Sequence, residues 1–138
     1  MKKKLILIFL VSSFFNFLTS GPRLEFNQTA LDEYVHNLDE SYGYKVIKTQ
    51  VGDEYTSYII DLTSQTFLTA KDVNRTKWQH WLLVVKPDEI KHQTGMLIIG
   101  AGDNDEKIPD ESPQLLVNYA KATGSIVAEL SMVPNQPL

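Results

Sequence analysis

The segment best suited to chemistry is Gly100-Ala101-Gly102, which four polar or acidic residues, 103–106, follow directly. It comes after the apolar run 96–99, and the carboxyl end of a buried strand is where open α/β sheets place ligands. The two glycines would let backbone N–H groups approach a reacting oxyanion, as the loop after the third strand does in α/β-hydrolases. A plain glycine turn at a strand end would also explain these residues, and both interpretations stay open.

Two other ligands fit this loop poorly. A dinucleotide-binding loop would need a third glycine where Asp105 stands, and the acidic residues here would repel a pyrophosphate. Asp103, Asp105 and Lys107 alternate as in a calcium loop. However, Ile108 stands where the EF-hand loop needs glycine, and Gln114 where it needs glutamate. We therefore expect neither a cofactor nor a metal.

The three histidines give no catalytic pattern. His36 lies among polar residues, His80 lies between Trp78 and Trp81, and His92 follows a proline-bounded loop. No histidine pair has the spacing of a zinc site, and none has a serine or cysteine nucleophile at a recognisable local spacing. The sequence also lacks G-x-S-x-G, the motif that carries the nucleophile of α/β-hydrolases. We expect no catalytic residue and interpret the histidines and tryptophans as surface or packing side chains.

The elements that would position the loop begin with β-rich sequence. Three segments predict strands: residues 44–51, 54–67 and 78–85. Gly52 and Asp53 predict a tight turn, and hence an antiparallel hairpin, between the first two segments. Pro87 ends the third strand because proline has no N–H to donate. Before them, capping chemistry at Thr29 predicts a short amphipathic helix over residues 29–38.

The second half of the chain predicts a strand, a helix and another strand. The continuously apolar run 96–99 is typical of a strand buried on both faces. Ser112 as the cap and Pro113 at the first helical position begin the helix, and Gly124 ends it. Its apolar stripe is predicted to be Leu115, Leu116, Tyr119 and Ala120. With the strand predicted over residues 125–133, this is a βαβ unit whose strands run parallel. The predicted fold class is α/β, an antiparallel start followed by a parallel βαβ unit in one mixed sheet.

The first twenty residues predict a secretory signal peptide. Lysines 2–4 precede the apolar run 5–18, and small residues follow at 19–21. The run is short for a bilayer-spanning helix, which needs about 20 residues. We predict cleavage near Ser20. Residues 1–20 are then the signal peptide and residues 21–138 the mature, extracellular domain, with no membrane association after cleavage.

The net charge and two glycosylation motifs limit which partners and modifications we expect. The chain of 138 residues carries 13 basic and 17 acidic side chains, and removal of three lysines with the signal leaves 10 − 17 = −7. So acidic a chain is a poor binder of nucleic acid, whose phosphates attract Lys and Arg. Asn27 and Asn74 begin the sequons N-Q-T and N-R-T, which are glycosylation acceptors in a secreted eukaryotic chain and meaningless in a bacterium.

Several ordered stretches carry a family resemblance. They are residues 61–66, Trp78-x-His80-Trp81-Leu82, Val85-x-Pro87-Asp88-Glu89, Ile98-x-Gly100-x-Gly102, residues 122–130 and residues 132–138. Together they resemble the amino-terminal portion of the PhoPQ-activated pathogenicity-related proteins, over about residues 30–138. The resemblance implies an α/β-hydrolase-like fold related to serine peptidases of the prolyl oligopeptidase type. The family also contains a secreted autocrine repressor of cell proliferation.

The resemblance also sets what we expect of function. Family members continue for several hundred residues beyond this stretch, so residues 21–138 would be a truncated α/β-hydrolase-like domain. Its strand 96–99 would lie at an open sheet edge, and only Gly100-Ala101-Gly102 would correspond to an oxyanion-side element. We expect a secreted, non-catalytic protein like the proliferation repressor, with a cell-surface receptor or a secreted protein as its partner. The alternative is a fragment of a secreted serine hydrolase or peptidase whose catalytic half is missing.

Overall fold

A computed structural model describes residues 28–134 of the chain. The predicted signal peptide, residues 1–20, and the sequon residue Asn27 lie outside the described residues. The chain divides into two compact units, Met1–Leu38 and Asp39–Leu138, which are considered separately. No helix within residues 28–134 is long and apolar enough to cross a membrane.

The described part of the first unit is the helix α1, Ala30–His36. Thr29 is its N-cap: the Thr29 hydroxyl accepts from the Asp32 N–H at 3.2 Å, and the Asp32 carboxylate accepts from the Thr29 N–H at 2.8 Å. The predicted capping box is therefore confirmed. Hydrogen bonds from Thr29 to the charged carboxylate hold the pKa of Asp32 below its ordinary value.

The described residues of the second unit form a five-stranded mixed sheet. Its strands are β1 (Gly43–Gly52), β2 (Tyr55–Thr66), β3 (Lys77–Pro87), β4 (Met96–Ile99) and β5 (Val127–Leu130). The order across the sheet is β1-β2-β3-β5-β4. The pairs β1–β2, β2–β3 and β3–β5 are antiparallel, whereas β4 and β5 are parallel. The predicted α/β class, with an antiparallel start and a parallel strand pair, is confirmed.

A helix connects the two parallel strands. This helix, α2, spans Gln114–Thr123 and ends at Gly124, as predicted, and Gly124 has the left-handed conformation with φ 61°. The predicted capping role of Ser112 is wrong. Pro113 itself is the N-cap, so the helix starts one residue later and the Ser112 hydroxyl lies too far out to cap it. That hydroxyl is buried and has no hydrogen-bond partner within the described part of the chain.

The core lies between α2 and one face of the sheet. Its fully buried side chains are Ile59, Val85, Leu116 and Val127. Leu116 and Ala120 belong to the predicted apolar stripe and are buried, but Leu115 and Tyr119 are 55% and 41% exposed. Val117 completes the buried stripe in their place, because the face that α2 turns towards β3 and β5 is rotated around the helix from the predicted one.

Strand β4 is more exposed than its apolar sequence predicts. Met96 is 43% exposed, and Leu97 and Ile99 are each 57% exposed, while Ile98 packs against the core. The prediction of a strand buried on both faces is therefore wrong. The reason is its place in the sheet order, because among the described strands β4 has a neighbour only on the β5 side. Residues 96–99 are thus an edge strand of the sheet that the described residues form.

Candidate functional site

The loop Gly100-Ala101-Gly102 leaves the carboxyl end of β4, as predicted. The Gly100 N–H donates to Leu130 O at 2.8 Å, which extends the parallel pairing by one residue. The carbonyl oxygens of Gly100 and Ala101 accept from the N–H groups of Val133 and Met132, each at 3.3 Å. The loop is thereby held through its carbonyl groups to the segment that follows β5.

Gly102 has a structural reason to be glycine. Its φ is +152°, and a Cβ atom there would lie 2.7 Å from Glu106 Oε1 and 3.0 Å from the Met132 nitrogen. The same Glu106 oxygen accepts from the Asp103 N–H at 3.1 Å. Close approach of the Glu106 carboxylate to the loop backbone therefore accounts for the glycine. An oxyanion-binding role for residues 100–102 stays a prediction.

A shallow cleft lies beside this loop, and we call it the Trp81 cleft. It has a volume of ≈ 280 Å³ and is lined by Arg75, Lys77, Gln79, Trp81, Asn104, Asp105, Glu106 and Met132. The Trp81 indole N–H donates to Glu106 O at 3.1 Å, and this bond joins β3 to the loop after β4. Arg75 forms a bidentate pair with Asp105 at the rim. That hydrogen-bonded pair holds the pKa of Asp105 below its ordinary value and raises the pKa of Arg75.

A part-buried side-chain pair joins Ser64 and His80. The Ser64 hydroxyl lies 2.9 Å from His80 Nε2, and His80 Nδ1 lies 3.1 Å from Met132 O. Because a carbonyl oxygen only accepts, Nδ1 carries a proton and donates it towards Met132 O, while the Ser64 hydroxyl also lies 3.4 Å from Trp78 O. A serine and a histidine at this distance are one element of nucleophilic catalysis. Here, however, the imidazole is only 3% exposed, so it is closed to a substrate.

The Ser64–His80 pair has a clear packing role. The register of β2 against β3 shifts between Thr63 and Gln65, which makes Ser64 the extra residue of a β-bulge. The bulge turns the Ser64 hydroxyl onto His80, and His80 in turn holds the segment after β5. The interpretation of His80 as a packing residue fits this geometry. Ser64 was missed because neither glycine nor proline marks the bulge in the sequence.

Two other predicted residues, Asn74 and His92, do not line the Trp81 cleft. Asn74 is exposed in the loop between β2 and β3, as a glycosylation acceptor must be, and Asn27 lies outside the described residues. His36 and His92 are exposed. Among the described residues, no group of three or more histidine, aspartate or glutamate side chains is placed to hold a metal ion.

The fold and the loop define an α/β protein whose mixed sheet carries a glycine loop at the end of its parallel edge strand. A sequence model of the PhoPQ-activated pathogenicity-related proteins matches residues 31–138, and the chain belongs to this family. The resemblance found in the sequence is confirmed.

One curated relative and one solved structure extend the comparison. The chain is 30% identical over 135 residues to autocrine proliferation repressor protein A of Dictyostelium discoideum. The alignment covers 97% of this chain and 25% of the relative, so the chain spans a quarter of that protein's length. It is also similar to the glucuronoyl esterase from Solibacter usitatus, with a TM-score of 0.38 and 16% identity over 69% of this chain and 30% of the esterase.

Proposed function

We propose that this chain is a secreted extracellular protein, related in role to the autocrine proliferation repressor, and that it acts by binding rather than by catalysis. The observation that carries the proposal is the 30% identity to the repressor, which extends over 97% of this chain. The basic and apolar leader over residues 1–20 supports export. The partner we propose is a cell-surface receptor or another secreted protein.

The hydrogen bonds of His80, Asp105 and Glu106 support a protein that acts without catalysis. Both ring nitrogens of His80 are engaged, one with the Ser64 hydroxyl and the other with backbone carbonyl oxygens. The carboxylate of Glu106 is engaged by the loop backbone, and that of Asp105 by Arg75. These groups hold loops together, and a general base must instead be free to reach a substrate proton.

Export is tested by expressing the full chain in a eukaryotic secretory host and determining the mass of the released product. We expect release into the medium after loss of residues 1–20. We also expect Asn74→Gln to lower the apparent mass by one glycan, because Asn74 is exposed. Asn27→Gln is the matched variant at the second sequon. Retention of an unprocessed chain in the cells would contradict export.

Growth control is tested by adding the released protein to Dictyostelium discoideum cells and counting divisions. We expect a slower doubling that depends on dose. The same protein after irreversible heat denaturation is the control for a nonspecific effect. An unchanged doubling time would count against the repressor role while leaving the export result intact.

A second candidate function is that of the amino-terminal portion of an α/β-hydrolase-like serine hydrolase. The position of Gly100-Ala101-Gly102 at the carboxyl end of β4 favours it, because ligands of open α/β sheets bind at such ends. Sequencing the transcript past the codon for Leu138 separates the two candidates. An open frame with a serine elbow would favour the enzyme, and a stop codon would remove it.

A further inference from the structure

The connection between β4 and α2 starts at one edge strand of the sheet and reaches β1 on the other side. We call residues 103–111 of this connection the strap. Backbone hydrogen bonds anchor the chain at both ends of the strap. Before it, the carbonyl oxygens of Gly100 and Ala101 accept from the segment after β5. After it, the Pro113 carbonyl oxygen accepts from the Leu116 N–H at 3.0 Å, in the first turn of α2. The strap therefore lies between two fixed ends.

Side chains of other elements hold the strap by polar contacts. Near its start, the guanidinium of Arg75 pairs with the carboxylate of Asp105. Near its other end, Lys48 Nζ of strand β1 donates to Asp110 O at 2.6 Å. Both contacts are exposed to solvent, so water can replace either partner when the strap moves.

The strap contributes little to the apolar core. Within the part of the chain that the structure describes, no side chain of residues 103–111 is buried, and Ile108 is 51% exposed. Segments with few buried apolar contacts open locally at a lower free energy than the core. The strap is therefore the kind of segment that opens while the sheet and α2 stay folded.

Two nearly buried side chains line the Trp81 cleft beside the strap. Trp81 is 7% exposed and Met132 is 4% exposed, and residues 104–106 of the strap line the same cleft. The indole N–H of Trp81 donates to Glu106 O, so this bond must break when the strap leaves β3. The cleft volume of ≈ 280 Å³ is close to the lower end of small-molecule sites, about 300–1,000 Å³. Movement of the strap away from β3 would enlarge the cleft and expose the indole.

We propose that the strap is a lid, which opens as one unit and controls access to the Trp81 cleft. The Arg75–Asp105 pair and the contact of Lys48 with Asp110 are its two latches. Gly102 follows the anchored part of the loop and is the hinge nearest β4, since a residue without a Cβ atom absorbs a large change in φ and ψ. This inference is independent of the proposed signalling role.

The absence of cysteine from the chain allows a thiol probe of the opening. Met132→Cys places a thiol in the cleft, and Val85→Cys places one in the fully buried core, where it reports unfolding of the whole unit. In the full chain without denaturant, we expect a thiol reagent to label Met132→Cys about tenfold faster or more, because local openings cost less free energy than global unfolding. Equal rates that rise equally with urea would overturn the proposal.

Removal of either latch tests whether the strap moves as one unit. On the Met132→Cys background, we expect Arg75→Ala and Lys48→Ala each to raise the labelling rate about two- to fivefold, since exposed polar contacts contribute modestly. Lys45→Ala is the matched control, because Lys45 lies on the same strand as Lys48 and makes no hydrogen bond or ion pair within the described residues. A response to Arg75→Ala alone would overturn the proposal, because the two ends of the strap would then move separately.

Exchange of the Trp81 indole hydrogen with water gives a second measurement, which needs no thiol in the cleft. That hydrogen is bonded to Glu106 O of the strap, so its exchange requires the bond to open. Trp78→Phe assigns its NMR signal, because the chain has two tryptophans. We expect Arg75→Ala and Lys48→Ala to speed this exchange by the same factor as the labelling. Unchanged exchange in both variants would overturn the proposal.

Discussion

Arg75 and Asp105 form a bidentate ion pair that joins the loop before β3 to the loop after β4, and Arg75 Nη1 donates to Asp105 Oδ1 at 2.7 Å. Asp105 has φ 66°, a left-handed conformation that is unusual for a residue other than glycine. The Arg75 guanidinium therefore holds the carboxylate of a residue whose backbone has an unusual conformation. Both residues also line the Trp81 cleft.

Removal of this pair should loosen the loop after β4. In Arg75→Ala, we expect faster hydrogen exchange at the amides of residues 103–106, because the loop loses its tie to the β2–β3 connection. Arg75→Lys should recover only part of the protection, since a lysine cannot make the two parallel hydrogen bonds. The control is Lys71→Ala, an exposed change in the same connection. Equal protection in Arg75→Ala and the parent chain would show that the pair does not order the loop.

Two adjacent leucines of α2 provide a matched test of the core. Leu116 is 1% exposed, whereas Leu115 is 55% exposed. We expect Leu116→Ala to lower the free energy of unfolding by about 2–5 kcal/mol, because it leaves a cavity against β3 and β5. Leu115→Ala should change it by less than about 0.5 kcal/mol. Urea unfolding measures both, and similar losses would contradict the placement of the helix.

Some of these features can be predicted from the sequence alone and others cannot. The capping box at Thr29 and the left-handed end at Gly124 depend on a few neighbouring residues, so their sequence patterns predict them. The burial of β4 cannot be predicted from neighbouring residues in this way. The same apolar run would be buried in a central strand and exposed in an edge strand. The pairs Arg75–Asp105 and Ser64–His80 depend on how distant segments meet, and nothing in their local sequence indicates the partner.

Replacement of the buried His80 imidazole should lower the free energy of unfolding, because the ring joins β2 to the segment after β5. His80→Phe removes the hydrogen bonds of the ring to the Ser64 hydroxyl and to the Met132 carbonyl, at a site where His80 is only 3% exposed. We expect a loss of about 1–3 kcal/mol in the free energy of unfolding. His92→Phe, at an exposed histidine, is the control and should be close to neutral. Equal effects of the two changes would argue against a structural role for His80.

The two glycines of the loop should differ in their tolerance of a methyl group. In Gly102→Ala the new Cβ would meet Glu106 Oε1 and the Met132 backbone nitrogen, at a φ of +152° that alanine rarely adopts. We expect a loss of about 1–3 kcal/mol. In Gly100→Ala the nearest atom is Oε1 of Glu129, at 2.7 Å, and this flexible side chain can move aside. Thermal unfolding ranks the two variants, and a larger loss in Gly100→Ala would contradict the geometry.

Asp39 should contribute to the loss of stability of the second unit at low pH. Its carboxylate accepts from the Ser41 hydroxyl at 2.6 Å and from the Thr66 N–H at 2.6 Å, and these bonds hold its pKa below the ordinary value. A lowered pKa in the folded state contributes stability above the ordinary carboxyl pKa, and this stability is lost as the pH falls through the folded-state pKa. We expect Asp39→Asn to be less stable than the parent chain at pH 7, and we expect the difference to shrink on acidification. Urea unfolding midpoints across that range measure it, and a difference that stays constant with pH would show that the charge of Asp39 does not stabilise the end of β2.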